Sequence, residues 1–119
     1  MVVGVGTRNR NQPAPAHVVF EALTEPDRDP QRPWLFLLDD EQAPRVVTSH
    51  KPDLVVWSSL LAKRLDAVIR FDLPPGGGRT DLRWTLSVDE PAPDDALIGH
   101  TRKRVNQLIN ANLRFTFGQ

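Results

Sequence analysis

On either side of Pro74-Pro-Gly-Gly-Gly78, apolar and polar residues alternate one for one. Only an antiparallel hairpin makes sense of that pattern, because alternation at period two buries one face of a strand and the glycines supply the conformational freedom of a tight reversal. In residues 66–73, Ile69, Phe71 and Leu73 share a face, and in residues 79–89 so do Leu82, Trp84, Leu86 and Val88. These faces are expected to meet the core. Arg70, Asp72, Asp81, Arg83, Thr85 and Ser87 then form a solvated outer surface, where cross-strand charge pairs contribute little.

Two further runs, 45–49 and 54–60, are rich in Val, Thr and Trp and flank a turn-like His50-Lys-Pro-Asp53, which predicts a second pair of strands. At the start of the chain Val3, Val5 and Thr7 alternate with Gly4, Gly6 and Arg8; the glycines either weaken this strand or let another segment approach closely. Pro13 and Pro15 end it, and residues 16–24 carry Val19, Phe20 and Leu23 at helical spacing, with Pro15 suited to the first helical position and Pro26 closing the helix. The proline- and charge-rich stretch 26–33 reads as a surface loop. Trp34-Leu-Phe-Leu-Leu38 is a compact apolar run that periodicity alone assigns to neither helix nor strand; a short helix, cut off by Asp39-Asp-Glu-Gln42, is the expectation.

Asp94-Asp95 places negative charge where a helix begins, and the pattern continues toward Thr116. At about 100° per residue, Leu97, Ile98, Val105, Leu108, Ile109 and Phe115 fall on one stripe, with His100, Lys103, Asn106, Gln107, Asn110 and Arg114 opposite. One face must be buried. Gly99 implies an irregular first turn or a close neighbour.

The 119 residues suit a single domain, 1–119, able to bury roughly two-thirds of its unfolded surface. Basic and acidic residues balance at 15 each, so no global field draws the chain to nucleic acid or an anionic membrane, and little opposes self-association; monomer and homodimer both stay open. The absence of cysteine removes disulfides, thiolate nucleophiles and sulfur-bound zinc, and points to a reducing cytoplasm. No run approaches the roughly 20 apolar residues of a membrane span, and the short apolar start lacks the features of a secretory leader. Gly4-Val-Gly6 has no third glycine or following helix, and Gly78 is followed by Arg-Thr, so neither is a nucleotide-binding loop.

The order strand, proline-led helix, meander and terminal helix resembles the helix-grip superfamily, usually called SRPBCC, that includes polyketide cyclases, START lipid-transfer domains and birch-pollen-type allergens. The segments that carry the resemblance are PAPAHVVFEALTEP (13–26), GGGRTDLRWTL (76–86) and NQLINANLRFTFG (106–118). The resemblance implies an α+β fold: a curved antiparallel sheet, here of about five or six strands, around a long C-terminal helix, with a hydrophobic cavity between them that takes an apolar molecule.

Within that frame Thr101 and Asn112 are polar residues inside the helix's apolar stripe, where a structural helix prefers Leu or Ala. A buried Asn needs partners or loses roughly 1–3 kcal/mol, so it bonds either to protein and water or to the polar end of a ligand. With Phe71, Trp84, Val105 and Leu108 as wall, these form the candidate ligand-binding set. Trp34, Trp57 and Phe115 serve as further wall or as core. His17, His50 and His100 have no companions at catalytic or metal-binding spacing, and Asp39-Asp40-Glu41 lacks a calcium-loop pattern, so no catalytic residue, metal or cofactor is assigned. Three functions remain: binding of a small apolar molecule, an interaction domain whose cavity is filled by its own side chains, and a cyclase-type enzyme, which requires an ionisable group inside the pocket.

Overall fold

The structure, a computed structural model, describes residues 2–26, 34–61, 64–76, 78–89, 91 and 94–117. Its elements run β1 (Val2–Gln12), α1 (Ala16–Thr24), β2 (Val46–His50), β3 (Leu54–Trp57), β4 (Val68–Asp72), β5 (Pro75–Gly76), β6 (Arg79–Asp89) and α2 (Asp95–Gln107). The last helix then continues through a π-helical segment, Leu108–Leu113, into a final α-turn, α3 (Arg114–Thr116). All strand pairs are antiparallel, in the order β1-β6-β4-β3-β2, with the two-residue β5 folded onto the start of β6. The expected loop 26–33 lies, beyond Pro26, outside the described residues.

The hairpin alternation is reproduced in full. Ile69, Phe71, Leu73, Leu82, Trp84, Leu86 and Val88 are all buried, and they join Val105, Leu108, Ile109 and Leu113 of the last helix in one core cluster. The helix therefore lies across the inner face of a curved sheet, an α+β helix-grip arrangement. α1 covers the far end of that core with Val19, Phe20 and Leu23, and the Trp57 indole N–H donates to the Leu23 carbonyl at 2.8 Å, pinning the helix to β3.

Several expectations need correction. In β1, Gly4 pairs with Ser87 and Gly6 with Leu86, so Val5 is an extra residue. Such a bulge reverses the alternation beyond it. Thr7, Asn9 and Asn11 consequently face the outer surface opposite Thr85, Arg83 and Asp81, while Arg8, Arg10 and Gln12 share the face of Trp84, Leu82 and Thr80. Pro15 is the cap preceding α1 and not its first residue. Residues 34–38 form no helix; the segment is irregular, Trp34 is buried against Trp57, and Phe36 and Leu38 are exposed. The strand begun at Leu54 ends at Trp57, because residues 58–61 turn away to meet the 41–45 segment.

At the last helix Asp94 caps the N-terminus, its side chain accepting from the Leu97 N–H at 2.8 Å. Gly99 sits in a regular turn, and a Cβ there would meet nothing within 4 Å, so neither an irregular turn nor a close neighbour explains it. The π-helical segment has the larger effect. A π turn holds more residues than an α turn and so shifts the phase of everything after it. Leu113 is brought into the core, while Phe115, expected on the buried stripe, is 76% exposed.

Candidate functional site

Phe71, Trp84, Val105 and Leu108 join one core cluster between sheet and helix, each at most 1% exposed, while Thr101, 4% exposed, is buried on the same helix beside Val5, Leu86, Val88 and Ile98. A side chain lining an open cavity would keep surface toward it; these keep almost none. Phe71 sits edge-to-face with Trp57, ring centres 4.8 Å apart, and Trp57 in turn stacks on Trp34 at 5.9 Å. The Thr101 hydroxyl is spent within its own helix, donating to the Leu97 carbonyl at 2.8 Å. Asn112 is half-buried on the π-helical segment.

Beside Thr101 there is one small pocket, with space of about 10 Å³, among Val5, Ala67, Leu86, Val88 and Ile98. That is room for about one water molecule, far below the roughly 300 Å³ of a typical ligand site. Its rim includes Arg64, whose guanidinium grips Asp66 at 2.8 and 2.7 Å and also donates to the carbonyls of Asp89 and Pro91. The hydrogen bonds from Arg64 and the Asp89 N–H hold the Asp66 carboxyl well below its ordinary range, against the opposing effect of partial burial.

A buried ionisable pair joins α2 to the 36–41 segment, and sequence reasoning missed it. Arg104 projects from the inner side of α2, donates from Nε and Nη2 to the two Glu41 oxygens at 2.8 Å each, and adds Nη2 to the Phe36 carbonyl and Nη1 to Gln107 Oε1. The two side chains are only 9% and 1% exposed. Burial pushes the Glu41 carboxyl up, but the Arg104 hydrogen bonds, the Leu38 N–H and the guanidinium charge outweigh it and the net shift is downward. The same bonds to Glu41 raise Arg104 against its desolvation. With every Arg104 nitrogen engaged, the pair clamps the 36–41 segment to the helix and is not a free acid or base. A signal was present: Arg104 lies three residues after Thr101, on the stripe assigned to the core.

His17, His50 and His100 are exposed; His50 bonds only its neighbour Asp53 at 2.7 Å, and His100 approaches Asp40 at 3.8 Å. Among the described residues no group of three or more His, Cys, Asp or Glu could hold a metal ion, and no helix is long and apolar enough to cross a membrane.

No family model and no curated protein sequence matches the chain. Solved structures do. The crystal structure of CalU16 from Micromonospora echinospora superposes with a TM-score of 0.71 at 15% identity, covering 94% of this chain and 73% of that one. The Aha1 dimer from Colwellia psychrerythraea gives 0.64 at 13% identity over 99% of both chains. Ara h 8.0201 gives 0.57 at 12% identity over 100% of both. At these identities the likeness speaks for architecture, and by that architecture the chain has the SRPBCC/START-like helix-grip fold.

Proposed function

We propose that this chain is a binding domain whose helix-grip interior is filled by its own side chains and which recognises its partner, a protein, through its outer surface. The observation that carries the reading is the near-zero exposure of Phe71, Trp84, Val105 and Leu108, the residues that would wall a cavity. Supporting it, four large apolar side chains, Phe36, Leu38, Val46 and Val47, stand exposed within a short stretch that ends in the edge strand β2. Exposed apolar side chains beside an unpaired strand edge suit contact with another chain, a second copy included.

A second reading, binding of a small apolar molecule between sheet and terminal helix, is favoured by the small pocket beside Thr101, whose walls Val5, Leu86, Val88 and Ile98 are all apolar. A ligand there would have to widen it by moving the first turns of α2. A cyclase-type reaction finds no support in the Arg104–Glu41 pair, in which each guanidinium nitrogen and both carboxylate oxygens are already hydrogen-bonded within the protein.

Thermal-shift titration against a panel of fatty acids and polyphenols tests the choice. No saturable stabilisation is expected. A saturable shift that disappears in Ala67→Leu, which fills the pocket, or in Asn112→Leu with the fold kept, would replace the first reading with the second.

A further inference from the structure

The neutral total hides a local imbalance. Because the bulge at Val5 turns Arg8 and Arg10 to the helix side of β1, they face Arg102 and Lys103 of α2 across a groove of about 300 Å³. Its lining contains these four cations and no carboxylate. Neither wall can supply one: β1 has no acidic residue, and α2 has none after Asp95. Among the described residues Arg8, Arg102 and Lys103 form no ion pair.

Two of the cations have defined neighbours. Arg10 Nε donates to Asn106 Oδ1 at 2.7 Å, bridging strand and helix. Arg102 lies across β1 where only glycine permits it, since a Cβ on Gly6 would come within 2.7 Å of Arg102 Cγ. The groove is lined at depth by Trp84, whose buried indole N–H has no acceptor within the described residues.

Like charges gathered in a groove repel one another, and the Arg102 stem packs closely over Gly6. A bound anion removes that repulsion, and low-dielectric walls focus the field onto it. A lone carboxylate neutralises one charge; a phosphate carries about −1.5 to −2 and matches the fork of a guanidinium. The outer face of the sheet, by contrast, mixes Asp53, Asp72 and Asp81 with Arg70 and Arg83, so it offers an extended polyanion no surface of single sign.

We propose that the groove between β1 and α2 binds the phosphate or diphosphate group of a small molecule, with Arg8, Arg102 and Lys103 as the charged contacts and Arg10 anchored by Asn106. The groove lies on the outside of the sheet-helix core and holds whether or not that core admits a ligand.

Isothermal titration of the full chain with inorganic pyrophosphate at about 50 mM salt is the test, and binding should weaken at about 200 mM because salt screens exposed charges. Arg8→Gln combined with Arg102→Gln should weaken binding at least roughly ten-fold, two charge-assisted contacts being lost. Among the described residues both side chains lack ion pairs and face like charges, so the melting temperature should hold or rise. Gly6→Ala should weaken binding by displacing Arg102, and Arg83→Gln on the outer face should leave it intact. If pyrophosphate fails to bind but vesicles containing phosphatidic acid do, with the same dependence on Arg8 and Arg102, the phosphate belongs to a lipid headgroup. No saturable binding to either, binding indifferent to the double variant, or tighter binding to duplex DNA with the same dependence would each overturn the proposal.

Discussion

Glu41 and Arg104 meet through two parallel hydrogen bonds of 2.8 Å, joining an irregular segment that follows the proline-rich stretch to the helix that closes the fold. Removing one partner of a buried pair strands the other without water, at a typical cost of about 3–5 kcal/mol. Arg104→Ala should lower the unfolding free energy by that order in urea titration. Glu41→Leu together with Arg104→Leu should cost much less, because no unpaired charge is left. Equal losses in the single and double variants would show that the packing of the side chains, and not their pairing, matters.

The same pair gives a pH dependence with a fixed sign. The Glu41 carboxyl is depressed in the folded state, so its contribution is complete above the ordinary value of 4.5 and is lost as pH falls through the lower folded value. Acid unfolding of the Glu41→Gln variant should therefore show a flatter stability-pH curve on the acid side of 4.5 than the parent chain.

The phase shift across the π-helical segment is testable by deletion. Leu113→Ala should cost about 2–5 kcal/mol as a core truncation, whereas Phe115→Ala should stay within about 0.5 kcal/mol. A regular α-helix through this segment would reverse the order, and chemical denaturation of the two variants reads the difference directly.

Gly99 offers a gain. It occupies a helical position with open space where a Cβ would go, so Gly99→Ala should stabilise the domain by up to about 1 kcal/mol, seen as a raised melting temperature.

What the sequence made legible was periodic: the hairpin faces around residues 74–78, the bounds of α1 and the start of α2 all follow from spacing and caps. The helix-grip order followed from these elements together with the quoted segments. Departures arose where one local event changed the phase. Val5, a single extra residue, turned Arg8 and Arg10 toward the helix, and the π-helical segment exchanged Phe115 for Leu113. Gly4 and Gly6 marked the weak place in β1 but not the extra residue between them, and the π-helical segment leaves no mark in spacing. Trp34–Leu38 misled for a different reason, because an apolar run can be held by tertiary contacts, here Trp34 on Trp57 and the Phe36 carbonyl on Arg104, without any regular structure of its own. Of the candidate site, Phe71, Trp84, Val105 and Leu108 lie in one core cluster, with Thr101 buried elsewhere along the helix; how tightly they fill that space depends on the fit of facing side chains, which a linear pattern does not encode.

Native mass spectrometry of the freshly purified chain, sprayed from volatile buffer and then solvent-extracted, most directly tests whether the interior is filled. A filled interior gives the mass of the bare polypeptide, or integer multiples of it if copies associate, with no apolar compound in the extract. A stoichiometric apolar adduct released by organic solvent would contradict it.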